Sequence, residues 1–117
     1  MVNPRLVDEQ VRGGVAMGLG WALLEQCVYD SEGQMLNGTM ADYLVPLAGD
    51  VPDIRIVHVA TPTPASQLGI KGAGESGVIG APAAVLNAVN DALRPFGAQL
   101  SEIPITPRRI LAALETR

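Results

Sequence analysis

The chain contains a single cysteine, Cys27, and a single histidine, His58, among its 117 residues. A disulfide within the chain is therefore excluded, and so is a zinc site built from a Cys/His cluster. Aromatic residues are scarce as well, at 3%, so a core has to be assembled from Val, Leu, Ile and Ala, within a hydrophobic content of 48%. There is no basic stripe: 8 Lys and Arg are scattered among 12 Asp and Glu, and a net charge of -4 argues against nucleic acid as a partner. The longest apolar run, Val15 to Leu24, is broken by Gly18 and Gly20 and is too short to span a bilayer. The first residues lead into a charged stretch, not an apolar one, so no signal peptide is read there. Together these absences predict a soluble, cytoplasmic protein with no membrane contact.

Glycine, by contrast, is plentiful, and it is densest in Lys71-Gly72-Ala73-Gly74-Glu75-Ser76-Gly77. Glycines leave no Cβ in the way, so this backbone can approach another group closely while one carboxylate is held out on the turn. The same stretch also reads as a plain turn before a helix, with Glu75 a first-turn acid that suits the helix dipole. Gly72-x-Gly74-x-x-Gly77 matches the dinucleotide-binding expression, but that fingerprint needs a strand ending at the first glycine and an acid roughly 20 residues on, at the end of the next strand. Here Pro62 and Pro64 intervene upstream and Asp91 falls inside the following helix, so the match is rejected.

Around that turn, periodicity predicts three helices. Val11, Val15, Leu19, Ala22 and Leu23 recur at helical spacing behind Asp8 and Glu9, giving a helix over 8–26. Its Gly13, Gly14, Gly18 and Gly20 each cost about 0.5–1 kcal/mol relative to Ala, so packing must recover what propensity loses. Close helix packing and contact with a bound cofactor both meet that need. A second helix over 80–94 carries Val85 and Val89 on one face and closes at Pro95 and Gly97, with Pro82 tolerated in its first turn. Thr106 and Pro107 read as N-cap and first position of a third, over 107–116. Between the first two, 27–36 reads as a hairpin about Asp30-Ser31-Glu32-Gly33, and 54–60 alternates like a strand, with His58 on its polar side. The predicted fold is α+β, three helices with a small, mainly antiparallel sheet.

The order of motifs says more than any one of them. Asn3-Pro4, Gln10-Val11-x-Gly13-Gly14, Gly18-x-Gly20-x-Ala22-Leu23-x-Glu25, Asp42-Tyr43-Leu44-x-Pro46, Lys71-Gly72-x-Gly74-Glu75, Asn87-Ala88-x-x-Asp91-Ala92 and Pro104-x-Thr106-Pro107 follow in series. The series covers nearly the whole chain and closely resembles the C-terminal end of the large, molybdopterin-binding subunit of the xanthine dehydrogenase, aldehyde oxidase and aerobic carbon monoxide dehydrogenase family. The resemblance implies a molybdenum hydroxylase in which Glu75 is the catalytic base beside the metal. It also implies that Gln10, Gly13, Gly14, Lys71, Gly72, Ala73 and Gly74 help to hold the molybdopterin cofactor, with no protein side chain ligating the metal.

Members of that family are several times longer, so the resemblance further implies that residues 1–117 form a single partial domain. Such a piece would need the remainder of the molybdopterin subunit, with iron–sulfur and flavin subunits or domains. Alone it is expected to be inactive, to carry no cofactor and to self-associate, with a homodimer the leading form. Ser76 and Gly77 stand where xanthine-oxidising relatives tend to have prolines, so a purine substrate is not implied. The competing reading is a noncatalytic interaction or scaffold domain that kept the family fold.

Overall fold

The structure is a computed structural model that describes residues 1–115. The described residues form three α-helices, α1 (Pro4–Leu23), α2 (Ala81–Leu93) and α3 (Pro107–Glu115), and one 3-10 turn, Arg94–Phe96, after α2. Among the described residues there is no strand and no sheet, which corrects the α+β expectation.

Helix α1 starts earlier than its acids suggest. Asn3, extended at φ -138°, accepts a hydrogen bond from the Leu6 amide at 3.2 Å through its side chain, and Pro4 brings a φ already suited to the first turn. Asp8 thus lies inside the helix and pairs with His58, while Arg12 donates to the Ile54 carbonyl at 2.8 Å. The helix ends at Leu23 and not near 26, because Leu24 leaves helical geometry and the Leu24 and Glu25 amides both donate back to Gly20.

The two segments predicted to form the sheet have local order but no ladder. In 27–36 the Asp30 side chain accepts from the Glu32 and Gln34 amides, Gly33 takes φ 81°, and one antiparallel bridge joins Tyr29 to Met35. A turn with one bridge is not a pair of strands. Residues 54–60 run irregularly beside α1, held by Arg12 and Asp8, and no described segment offers them main-chain partners. Alternation marks a chain suited to a pleated surface, but a strand exists only when another strand completes its hydrogen bonds.

Helices α1 and α2 run alongside each other with backbones close together. A Cβ on Gly14 would come within 3.0 Å of the Val78 amide nitrogen, and one on Gly18 within 2.6 Å of the Ala81 side chain. Gly14 and Gly18 therefore answer to packing, with Gly20 likewise filled over by Pro46 and the Glu25 carboxylate; Gly13 has nothing within 4 Å. The 3-10 turn closes on Gly97 at φ 66°, and Asn90 then pins the chain by bonding both the amide and the carbonyl of Leu100 at 2.8 Å. Helix α3 opens as expected, Thr106 capping the Arg109 amide at 3.3 Å; the predicted end at 116 lies outside the described residues.

The core is small. Ala22, Leu93, Ala98 and Ile105 are the buried hydrophobic residues, gathered where α1 and α2 end, and the Ile105 amide donates to Ala22 at 2.6 Å to bring in the C-terminal segment. Val57, Val59, Leu68 and Ile79 are each more than 70% exposed. The radius of gyration, 18.0 Å, exceeds the ~13 Å of a globule this long, so the described chain is an open body with much apolar surface. No described helix is long and apolar enough to cross a membrane.

Candidate active site

The glycine-dense turn lies between the loop 61–71 and α2, against the first half of α1. Its closure is local: the Ser76 hydroxyl donates to the Ala73 carbonyl at 2.8 Å, and the Val78 amide donates to the Glu75 carbonyl at 3.1 Å. Its attachment comes from α1. Gln10 donates from Nε2 to the Gly74 carbonyl at 2.8 Å, and Gly77 lies so close to the α1 backbone that a Cβ would sit 3.0 Å from both the Cα and the carbonyl carbon of Val11. The turn is thus anchored on either side of Glu75 by adjacent residues of one helix.

Glu75 itself is exposed, and among the described residues its carboxylate has no hydrogen-bond or ion-pair partner. Gly72 and Gly74 before it have nothing within 4 Å of a would-be Cβ, and neither has a positive φ. Their lack of a side chain answers to no positive φ and no contact among the described residues. It leaves a strip of bare backbone facing open space, which is what a ligand lying against the main chain requires.

Gln10, Lys71, Gly72, Ala73 and Gly74 line one groove of about 640 Å³ between the start of α1 and residues 58–76, a size in the range of small-molecule sites. Gly13, Gly14 and Glu75 are not in its lining. Lys71 donates from Nζ to the Thr61 hydroxyl at 2.5 Å, closing the base of the 61–71 loop, and its charge has no carboxylate partner among the described residues. Of the residues expected to hold a cofactor, five therefore converge, Gly13 stands apart with open space of its own, and Gly14 is occupied in packing. The groove's bare glycines, the Lys71 ammonium and the carboxamides of Asn3 and Gln10 suit the anionic part of an extended ligand such as a pterin phosphate, and its largely apolar remainder suits a ring system. No group of three or more His, Cys, Asp or Glu among the described residues is placed to hold a metal ion.

Two polar pairs have no counterpart in the sequence reading. His58 and Asp8 join the 54–60 segment to α1 across 50 positions, with no local signal to find them. Tyr43 donates to Glu25 at 2.7 Å, and that bond to a carboxylate, with some burial and the nearby negative charge, pushes the Tyr43 phenol up to about 12. Both lie outside the groove's chemistry except that His58 contributes to its wall.

Comparison with known proteins gives a consistent answer. A family model described as a molybdopterin cofactor-binding domain matches residues 1–52. The nicotine 6-hydroxylase large subunit of Paenarthrobacter nicotinovorans is 48% identical over 97% of this chain, and a putative xanthine dehydrogenase molybdenum-binding subunit of Escherichia coli is 37% identical over 94% of it. The crystal structure of quinoline 2-oxidoreductase from Pseudomonas putida 86 superposes over the whole chain with a TM-score of 0.96 at 50% identity. The chain spans only 14% of the length of those two subunits and 15% of the crystallised one. In sequence and in fold it belongs, as a segment, to the molybdopterin-binding subunits of the xanthine dehydrogenase, aldehyde oxidase and carbon monoxide dehydrogenase family.

Proposed function

We propose that this chain supplies the general base and one wall of the cofactor site of a molybdopterin-dependent hydroxylase. The observation that carries the reading is Glu75, a carboxylate without a partner among the described residues, on a turn anchored on both sides and preceded by bare glycine backbone.

In this reading the main chain at Gly72 and Gly74 lies along the cofactor, and Lys71 places positive charge beside its anionic tail. Gln10 presents the carbonyl oxygen of its amide, which has no protein partner among the described residues. When bound, the molybdenum centre supplies the two-electron oxidation. Glu75 would take up, at a carboxylate oxygen, the proton released as the substrate is attacked, the role of a general base. The anchored turn fixes the backbone from which that carboxylate projects and so limits where the oxygen can lie, the positional requirement for efficient proton transfer. The remainder of the subunit supplies the rest of the enclosure, and separate redox subunits or domains accept the electrons.

Two variants of the assembled enzyme separate the roles. Glu75→Gln should keep its molybdenum and lose turnover, whereas Gly72→Val, which fills the space beside the bare backbone, should lose molybdenum. A Glu75→Gln enzyme that turns over normally, or a Gly72→Val enzyme with full metal content, contradicts the corresponding half of the proposal. Normal activity and full metal in both would favour the scaffold reading.

A further inference from the structure

We infer that Gln10 acts as a positioning residue for Glu75, holding the N-terminal limb of the catalytic turn on α1. This inference rests on the reading of Glu75 as the base. The two limbs of the turn are held differently. After Glu75, Gly77 is in backbone contact with Val11 and Val78 lies against Gly14, so this limb is fixed by close packing. Before Glu75, Gly72 and Gly74 contribute no side chains and meet no neighbours, and glycine backbone left to itself samples more conformations than any other.

One bond crosses from α1 to that loose limb. Gln10 Nε2 donates to the carbonyl of Gly74, the residue directly before Glu75, and among the described residues no other side chain from outside 72–77 bonds to the turn. Helix α1 is itself held on either side of Gln10, by Asp8 to His58 and by Arg12 to the Ile54 carbonyl, so the anchor point is firm. With Gly74 and Gly77 fixed to adjacent residues of one helix turn, the peptide carrying Glu75 has both ends defined. Removing the Gln10 donor frees the first end only, so Glu75 would remain present and charged but variably placed.

The test uses Gln10→Leu in the assembled enzyme, which keeps a long helix-compatible side chain without the donor, and Gln10→Glu, which keeps the shape and sets a carboxylate against the Gly74 carbonyl. Amide hydrogen exchange at Ser76, Val78 and Ile79, whose amides donate to the Ala73 and Glu75 carbonyls of the turn, should quicken by on the order of five-fold or more in both, the factor an ordinary net hydrogen bond is worth. Turnover per molybdenum should fall on the order of tenfold through kcat with KM unchanged, as misplacement of a reacting group produces. Molybdenum content should fall far less than turnover, and in a Glu75→Gln background Gln10→Leu should cost no further turnover per molybdenum. Unchanged exchange at Ser76, Val78 and Ile79 overturns the inference, and so does loss of molybdenum in step with activity, which would make Gln10 a cofactor ligand first. Should Glu75→Gln itself retain turnover, the base assignment falls, and the exchange measurement still decides for or against the anchor.

Discussion

Replacing Gly77 by alanine adds one methyl group at the point where the turn meets α1. That methyl would sit 3.0 Å from the Cα and carbonyl carbon of Val11, with the carbonyl oxygen nearer still, whereas carbon atoms rest at about 3.5–4.0 Å. Every crowded atom is main chain in the interior of a helix, so no rotamer change relieves the overlap. Helix and turn must separate by roughly half an ångström or more to restore that spacing, which also draws Val78 from Gly14 and strains the Gln10 bond. Overpacking of this kind costs about 1–3 kcal/mol. Gly13→Ala, two residues along the same helix from Val11, offers the control: its Cβ meets nothing within 4 Å, and the change should stabilise α1 by about 0.5–1 kcal/mol. Urea denaturation of the chain followed by helical circular dichroism should therefore move the two midpoints in opposite directions. A Gly77→Ala chain as stable as its parent would refute the close approach of α1 and the turn, and with it the account of how Glu75 is held.

Asn90→Ala leaves both the amide and the carbonyl of Leu100 without their partner in a part-buried setting, and should cost about 1–3 kcal/mol in the same denaturation assay. Tyr43 has a folded-state value raised above the ordinary 10, so its bond to Glu25 contributes stability that is intact below pH 10 and is lost as pH rises towards 12. Tyrosinate absorbance should show a late-ionising phase that disappears in Tyr43→Phe. The chain on its own should self-associate through exposed residues such as Val57, Val59 and Ile79; a monodisperse monomer in light scattering that binds no hydrophobic dye would contradict this.

What can be read from sequence is what is written locally. Helix α2 is legible because Pro82 opens it and Pro95 and Gly97 close it, and α3 because Thr106 and Pro107 are a cap and a first residue side by side. The start of α1 is harder to place because Asp8 and Glu9 imitate a first turn, while the true cap, Asn3 before Pro4, lies a full turn upstream. The sheet does not form because alternation in 54–60 reports suitability for pairing and says nothing of a partner. At the candidate site, Glu75 stands out among its glycines, and Gln10 enters through the family resemblance. The bond joining Gln10 to Gly74 spans 64 positions and has no local signature. The glycines of α1 divide in a way that composition cannot show: Gly14 and Gly18 serve packing, and Gly13 faces open space.

The most direct test of the central claim is turnover per molybdenum in the assembled enzyme carrying Glu75→Gln. Glutamine keeps the size of the side chain and leaves the anchored backbone of the turn untouched, but it cannot take up a proton. Removal of a general base typically lowers the rate on the order of 10² to 10⁴, and a loss of that size at unchanged metal content is the predicted result. Activity within a few-fold of the parent would make Glu75 a turn residue only, five residues ahead of the α2 N-cap and outside the reach of the helix dipole, and would contradict the assignment.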